Sequence, residues 1–506
     1  MSIPATEPEP QEGVPGTGLA APGPTLTHLL NEAPTSRFHR RAVLISGMGF
    51  FTDAYDLFVI ATVAALVKTQ WHLTTTQTSW VTGSAILAAF FGALIFGRVA
   101  DVIGRKTIYT LVAVIMIVGA LASAFAPSFL FLVVARFVLG MGIGGDYPVS
   151  AVLMSEYANR NDRGRLVGLV FSMQALGLVV GPLVALVLLS SGISGDLTWR
   201  LLLGLGAIPA AAVIYLRAKM PESPRFQARV KGESRRAAAQ LQLFAEGAID
   251  TSRAETDGTR HMRFSQFLRD RRMWRLILGT AGTWFLFDYA YYGNTLSLPS
   301  ILKQVDSHAT LEAKLAWTLG IFVVFAIPGY LLAVARMDRI GHRFLQFIGF
   351  AVMALCFAAL GIFPALTTTV GPFLVIFGLS YFFIEFGPNT TTFVMPSEVF
   401  PVSMRTTGHG IAAGVGKLGA FIGVFLVPVL QKQIQLRGML LVAGGAALLG
   451  FLLTMVLPEP ARRSLEEVSG EDGELIPLPT IDAIQSPPMP VVELIEAGDP
   501  QPAPRA

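Results

Sequence analysis

Long apolar stretches constrain this chain more than any other feature. About twelve of them approach the roughly 20 residues that a membrane-spanning helix needs. Hydrophobic residues make up 53% of the chain and charged residues 14%, whereas a soluble domain has about 25% charged residues. The pattern predicts an all-α membrane protein with twelve transmembrane helices, centred near positions 55, 89, 117, 139, 178, 209, 286, 325, 354, 383, 418 and 448.

Positive charge is concentrated in alternate connections between these stretches. By the positive-inside rule this predicts that both termini are cytoplasmic, which requires an even number of spans. The same distribution accounts for the net charge of +4, so no nucleic-acid partner is expected. The residues are Arg37, Arg40 and Arg41 before the first stretch, Arg98, Arg105 and Lys106 after the second, Arg160, Arg163 and Arg165 after the fourth, and Arg336, Arg339 and Arg343 after the eighth.

Polar segments divide the chain into five parts. The Pro/Gly-rich start has no apolar core of a signal peptide, and the end is rich in proline and acids, so both predict disorder. The central loop is charged and helix-prone around Ser234 to Phe244. The predicted organisation is a disordered cytoplasmic arm (1–38), a six-helix half (39–219), a cytoplasmic loop (220–272), a second six-helix half (273–460) and a disordered cytoplasmic tail (461–506).

The two halves repeat three loop motifs in register. The pairs are GRVADVIGRK (97–106) with VARMDRIGHR (334–343), SEYANRNDRGR (155–165) with SEVFPVSMRTT (397–407), and MPESPRF (220–226) with LPEPARR (457–463). Short Gly/Arg-rich loops could instead serve topology alone, but three matched pairs disfavour that alternative. Repeats related along the membrane normal are how major facilitator transporters are built.

These loop motifs carry acids and arginines that suit gating rather than substrate chemistry. Asp101 and Arg105 can pair with helix ends or with each other on the cytoplasmic face. Breaking such pairs would accompany opening toward the cytoplasm. The same gating role is predicted for Glu156, Arg163, Glu398 and Arg405.

Six ionisable residues lie inside or at the edge of the apolar stretches. A charge at mid-bilayer costs roughly 2.5–3.5 kcal/mol on insertion scales, so such residues normally face a bundle interior or a watery pathway. They are therefore the first candidates for function: Asp53, Asp56, Asp146, Asp288, Glu385 and Lys417.

Two of these acids lie three residues apart in GFFTDAYD (49–56). Asp53 and Asp56 share one side of a helix, and at most one of them is expected to lie deep. A deep carboxylate can take up and release a proton near neutral pH. The alternative is a packing carboxylate satisfied by Thr52 or Tyr55.

A third acid lies in GGDYP (144–148) at the end of the fourth stretch. Irregular backbone around glycine and proline is tolerated at membrane depth only where it is buried in protein or lines a cavity. There Tyr147 can donate its hydroxyl to an oxyanion, and Asp146 can hold a proton. The alternative is a plain kinked helix, which leaves the acid unexplained.

The seventh stretch carries Trp284, Asp288 and Tyr292 four residues apart, on one stripe of a helix. Indole and phenol groups are donors, and Asp288 can share a proton with a partly protonated oxyanion. Core packing is the alternative interpretation of such a stripe.

Gln174, Asn389 and Lys417 complete the candidate set. A single buried ammonium is a point charge suited to a tetrahedral oxyanion, and the amides add neutral donors. Lys417 could instead pair permanently with Asp288, Asp53 or Asp146. Glu385 could tune Lys417 or line the pathway, without a specific role.

These motifs resemble those of the phosphate:proton symporter family, in the sugar-transporter-like branch of the major facilitator superfamily. The resemblance rests on GFFTDAYD, GGDYP, the glutamine of FSMQALG (171–177), WFLFDYAYYG (284–293), FGPNTTTF (386–393) and GVGKLG (414–419). It implies proton coupling at Asp53, with Asp146 and Asp288 as further candidates. It implies phosphate binding by Tyr147, Gln174, Trp284, Asp288, Tyr292, Asn389 and Lys417.

The sequence thus predicts a proton-coupled secondary transporter, not an enzyme, that imports inorganic phosphate by alternating access. Another small solute, such as an organic acid or a sugar, or a phosphate-sensing receptor without net transport, remain alternatives. We expect no cofactor or metal, since no such spacing occurs, and a monomer in the cell membrane. His72, His308 and His342 are expected to be exposed.

Overall fold

The computed structural model describes residues 24–251, 254–255, 257–259 and 261–471, except the side chain of Pro428. Eleven helical segments in these ranges are long and apolar enough to cross a membrane. A twelfth, Arg271–Leu296, has 26 residues. At 1.5 Å per residue it is roughly 39 Å long, which exceeds the roughly 30 Å of a bilayer core.

The described ranges therefore hold the twelve membrane helices that the sequence predicts. The segment Arg271–Leu296 is less apolar than the other eleven because it carries three arginines near its start and Asp288 in its second half. In chain order the helices are α1 (Arg37–Gln70), α2 (Thr75–Ile103), α3 (Arg105–Ala124), α4 (Phe129–Tyr157), α5 (Arg163–Ser190), α6 (Gly195–Ala218), α7 (Arg271–Leu296), α8 (Leu311–Ile340), α9 (His342–Ile362), α10 (Val370–Val399), α11 (Arg405–Val427) and α12 (Val429–Thr454).

Several of these helices are interrupted inside their span. Helix α5 breaks between Ser172 and Gln174, α8 contains a π-helical turn at Phe322–Ala326, and α10 breaks at Gly387 with φ −115° and ψ −105°. Near the start of α12, Gln435 is non-helical, with φ 57° and ψ 178°. Irregular backbone of this kind is tolerated at membrane depth where protein buries it or a cavity adjoins it, and π-bulges are frequent at functional sites.

The repeated loop motifs fold alike and contact each other within each half. Gly104, with φ 133°, separates α2 from α3, and Gly341, with φ 101°, separates α8 from α9. Glu222 accepts hydrogen bonds from the first two amides of α3, at 3.2 and 3.3 Å. Glu459 accepts from the first two amides of α9, both at 2.9 Å. Each glutamate thus caps a helix N-terminus, where negative charge is stabilising.

Close helix crossings join the two halves. A β-carbon at Gly97 of α2 would lie 3.0 Å from Cα of Gly410 and 2.8 Å from the carbonyl oxygen of Thr406, both on α11. A larger residue at Gly97 would force these two backbones apart. On the other side of the bundle, α5 packs on α8, where Gly168 approaches the sulfur of Met337.

Short helices outside the bundle lie at both of its ends. One of them is Leu26–Glu32, whose Leu26 and Leu30 are buried against Leu241 of the central loop. Leu241 belongs to the helix Ser234–Phe244, so the predicted loop helix is confirmed. The other short helices are Pro224–Phe226, Phe264–Arg269, Leu298–Val305, Pro364–Leu366 and Leu465–Ser469, with a π-helical turn at Gln227–Lys231.

The disorder predicted for 1–38 and 461–506 does not hold for 24–38 and 461–471. Leucines at positions 26, 29 and 30 form an apolar stripe within LTHLLNE, which the Pro/Gly-rich average of the arm conceals. Leu465 is likewise buried. The predictions for 1–23 and 472–506 lie outside the described residues.

An ion pair ties these two segments together. Arg225 donates to Glu466 and, at 2.7 Å, to Oδ1 of Asn31. Burial by itself would raise the pKa of Glu466, but Arg225, Arg229 and other guanidinium groups outweigh it and lower the pKa to about 2. Both described chain ends therefore lie at one end of the bundle, called here the termini end.

Candidate functional site

Lys417 of α11 lies at the centre of a buried polar cluster between the halves. Its Nζ is 3.3 Å from Oδ2 of Asp288 and donates to the hydroxyl of Tyr292 at 3.0 Å. The ammonium also lies 4.5 Å from the ring centre of Tyr147 and 4.4 Å from that of Tyr292. Aromatic faces attract cations at such distances. Residues of both halves thus surround one positive charge.

An amide–phenol chain extends this cluster across the interface. Gln174 of α5 donates to the Tyr147 hydroxyl at 2.9 Å. Tyr330 of α8 donates to Oε1 of Gln174 at 3.4 Å and accepts from Nδ2 of Asn389 at 2.7 Å. Sequence reasoning missed Tyr330. Its one signal is its position within an apolar stretch that also carries Gly329 and Pro328.

Trp284 of α7 is buried in an aromatic cage beside Lys417. Its ring centre is 6.0 Å from that of Tyr147 and 5.6 Å from the imidazole of His409. A β-carbon at Gly416 would lie 2.6 Å from the indole ring. The glycine that precedes Lys417 therefore permits this close approach.

Asp53 lies in the same region but is not held by its helix neighbours. It is 2% exposed, and both its carboxylate oxygens are without a hydrogen-bond partner among the described residues. Thr52 donates to the carbonyl of Met48 instead, and Tyr55 to that of Leu202. The packing alternative therefore does not account for Asp53. The ammonium of Lys417 and the hydroxyl of Tyr147 are its polar neighbours in the cluster.

The prediction that only one of Asp53 and Asp56 lies deep is wrong. Asp56 is 1% exposed. Both its oxygens accept from Nη1 of Arg136 on α4, at 2.6 and 2.7 Å. Arg136 compensates the buried charge of Asp56.

Asp146 is engaged in a strong ion pair with Arg217 rather than with the residues of the cluster. Its carboxylate accepts from both terminal nitrogens of Arg217 on α6, at 2.7 and 3.0 Å, and from Ser150 at 3.0 Å. Bidentate pairs of this kind are among the strongest polar contacts in proteins. The pair lies against Gly49 of α1, where an added β-carbon would meet both side chains. The sequence did not identify Arg217 as a partner, since it lies among the basic residues at the end of a span.

Glu385 is the buried acid for which the sequence gave no specific role. It lies on α10 just before the break at Gly387 and is fully buried. The hydroxyl of Tyr291 donates to its Oε1 at 3.1 Å, and Nδ2 of Asn389 donates to its Oε2. Glu385 is therefore joined to the amide–phenol chain.

At the termini end, the six predicted gating residues form ion pairs. Asp101 accepts from the amide of Thr407 at 2.6 Å, at the start of α11. Sequence reasoning missed His342, which is buried and lies 3.0 Å from Glu398, so the prediction that it is exposed is wrong. The distances are 3.0 Å for Asp101–Arg105, 3.3 Å for Arg105–Glu156, 3.2 Å for Arg405–Glu156 and 2.7 Å for Arg163–Glu398.

Three of these contacts cross between the halves: Asp101 to Thr407, Arg405 to Glu156 and Arg163 to Glu398. They close the termini end. Within the described ranges, no group of three or more His, Cys, Asp and Glu side chains is arranged to hold a metal ion.

Comparison with known proteins gives one consistent result. Residues 42–471 match the family described as "Sugar (and other) transporter". Inorganic phosphate transporter 1-11 of Oryza sativa subsp. japonica is 34% identical, over 88% of this chain and 90% of its own. Low affinity inorganic phosphate transporter 4 of Lotus japonicus is 35% identical, over 89% and 96%. Probable inorganic phosphate transporter 1-6 of Arabidopsis thaliana is 36% identical, over 87% and 95%.

Among solved structures, the proton:xylose symporter XylE bound to 6-bromo-6-deoxy-D-glucose superposes with a TM-score of 0.73. That match has 19% sequence identity and covers 87% of this chain and all of the symporter chain. At this identity the likeness concerns the fold, and it confirms the major facilitator fold that the repeated motifs predict.

Proposed function

We propose that this protein, which belongs to the sugar (and other) transporter family of the major facilitator superfamily and is a multi-pass membrane transporter, imports inorganic phosphate together with protons. The relatives named above are inorganic phosphate transporters, and their match to this chain covers 90–96% of their own length. The observation that carries the proposal is Lys417, a buried cation between the halves that contacts the carboxylate of Asp288, the hydroxyl of Tyr292 and the ring of Tyr147.

Phosphate binds beside Lys417 in this proposal. The ammonium supplies one positive charge, and Tyr147, Tyr292 and Trp284 supply hydroxyl and indole donors. A partly protonated phosphate can also donate a hydrogen bond to Asp288, which already lies 3.3 Å from Lys417. Gln174 and Asn389 add neutral donors from both sides of the interface. The set recognises an oxyanion rather than a neutral solute.

Protons bind at Asp53 and Asp288. Neutralising Asp53 removes a negative charge that would repel the incoming anion, and within the described ranges Asp53 has no arginine contact to give up before it takes a proton. Asp146 fits this role less well, because it would have to give up its bidentate contact with Arg217 before it could take a proton.

Transport proceeds by rocking of the two halves about the bound phosphate, as in other transporters built from repeats. The termini end is the cytoplasmic end in this proposal, and the pairs of Arg163, Arg405 and Asp101 act as its gate. Loss of the protons on the cytoplasmic side puts carboxylates next to the anion and favours its release. The protein works as a monomer in the cell membrane.

Uptake of radiolabelled phosphate into proteoliposomes tests the proposal. A proton gradient should stimulate uptake, and arsenate should compete while malate and xylose should not. Lys417→Met should abolish saturable uptake, whereas Lys432→Met, which removes an exposed lysine, should leave it intact. Competition by malate or xylose would indicate another solute. A protein that binds phosphate without any flux would indicate a receptor.

A further inference from the structure

A carboxylate outside the proposed phosphate and proton sites is buried at the edge of the substrate cluster. Glu385 is 0% exposed. Its hydrogen-bond donors are neutral: the phenol of Tyr291 and the amide of Asn389. The titratable groups that face it are the phenols of Tyr291 on α7, Tyr330 on α8 and Tyr381 on α10.

No cation compensates Glu385 within the described ranges, where none of its close partners is a lysine, arginine or histidine. This distinguishes it from Asp56 and Asp146, each of which is bound by a buried arginine. A buried charge without such a partner is expensive, and a carboxyl group avoids the penalty by taking a proton. The surroundings of Glu385 thus suit a group that changes its protonation state.

The amide of Asn389 has both its hydrogens engaged. Its Nδ2 donates to Oε2 of Glu385 and, at 2.7 Å, to the hydroxyl of Tyr330. A primary amide has two N–H donors and no more. In this arrangement Asn389 cannot donate to a phosphate as well. Phosphate binding by Asn389 requires one of the two contacts to be released.

We propose that Glu385 is a proton-binding site that controls when Asn389 can donate to the substrate. One proton binds to Oε2, which turns this oxygen from a charged acceptor into a hydroxyl donor. The hydrogen bond from Asn389 is lost, and its N–H becomes available to phosphate. When the proton leaves, the carboxylate takes the N–H back and the phosphate loses a donor. Glu385 is thus a positioning residue whose proton is coupled to the anion.

The close approach of α8 fixes this geometry. A β-carbon at Gly329 would lie 3.1 Å from Cβ of Glu385, so the glycine brings its neighbour Tyr330 against the acid. Through Tyr330 and Gln174 the contact continues to Tyr147, over whose ring Lys417 lies. A proton on Glu385 can therefore act on the substrate cluster without touching the anion.

Calorimetry of phosphate binding tests the inference, which rests on the proposed function. Full-length protein in lipid nanodiscs is titrated with inorganic phosphate in two buffers of different ionisation enthalpy, which gives the protons taken up per phosphate bound. Glu385→Gln keeps the shape but cannot ionise, and it should take up one proton fewer than the wild type. Glu312→Gln removes an exposed acid of α8 and should match the wild type. The ionisation of phosphate itself cancels in these comparisons.

Unchanged proton uptake in folded Glu385→Gln would overturn the inference. Absence of phosphate binding by the wild type would instead refute the proposed function, so the two failures are distinguishable. If Glu385→Gln does not fold, Tyr291→Phe serves. It removes one donor to the ionised carboxylate and should move the pH midpoint of phosphate binding upward by about one unit. The same midpoint as in the wild type would contradict a role for Glu385.

Discussion

Replacing Glu398 with glutamine should open the termini end of the bundle. Glu398 of α10 accepts a hydrogen bond of 2.7 Å from Nε of Arg163, which belongs to the other half of the protein. The imidazole of His342 lies 3.0 Å from the same carboxylate. All three side chains are at most 1% exposed. Glutamine keeps the size but leaves Arg163 without its counter-charge for as long as this end stays closed.

The magnitude follows from what remains around Arg163. Removing one partner of a buried ion pair typically destabilises by about 3–5 kcal/mol. In the variant the guanidinium of Arg163 still donates to the carbonyl oxygen of Arg463 at 2.8 Å and to that of Pro460 at 3.4 Å. We therefore expect a destabilisation at the lower end of the range given above. Opening of this end exposes the guanidinium of Arg163 to water, which removes the free-energy cost of burying its charge without a counter-charge. About 3 kcal/mol in favour of the open form corresponds to a roughly 150-fold change in the equilibrium constant.

Distance measurements between two spin labels report this equilibrium. Arg165 and Arg339 are exposed at the termini end on α5 and α8, and they can be replaced by labelled cysteines once Cys356, the one native cysteine, is changed to alanine. Glu398→Gln should move most of the population to a longer distance. Glu467→Gln, an exposed acid at the same end, should not. An unchanged distribution in Glu398→Gln would refute the gate.

Three further predictions concern the buried charges. Lys417→Met should weaken phosphate binding at least about 30-fold, since truncating one partner of a buried charge pair costs about 2–5 kcal/mol; calorimetry checks this, and wild-type affinity would contradict it. Asp53→Asn should abolish accumulation driven by a pH gradient while phosphate exchange continues; unchanged accumulation would exclude Asp53 as a proton site. Because Arg225 and its neighbours lower the pKa of Glu466 from 4.5 to about 2, this carboxylate stabilises the folded state above pH 4.5 and loses that effect as the pH falls toward 2. Thermal unfolding of Glu466→Gln should lack this part of the acid dependence, and a wild-type acid profile would count against it.

Local sequence pattern predicted the membrane helices and the polar stripe of α7 because each lies along a single helix, whereas the full candidate set for phosphate came from the family resemblance. The span lengths follow from apolar runs, and the stripe of Trp284, Asp288 and Tyr292 follows from the helical period. The repeated loop motifs predicted the two halves. Their glutamates turn out to cap the helices that follow Gly104 and Gly341.

The arginine partners of Asp56 and Asp146 could not be predicted, because they come from distant helices, whereas the pairs Asp101–Arg105 and Lys417–Asp288 were among the possibilities that the sequence offered. Arg217 is 71 residues from Asp146, and Arg136 is 80 residues from Asp56. Helical period says which face a residue occupies, but not which face of another helix it meets. The same limit hid Tyr330, which reaches the cluster only through the packing of α8 on α5 and α10.

Simultaneous measurement of phosphate and proton flux in proteoliposomes tests the central claim most directly. Purified protein is reconstituted, an outward phosphate gradient opposes an inward proton gradient, and the proton gradient at which net phosphate flux reverses is determined. The predicted result is that a larger phosphate gradient requires a larger proton gradient for reversal, and that phosphate flux is lost in Lys417→Met. Phosphate flux that ignores the proton gradient, or that persists without Lys417, would contradict the account.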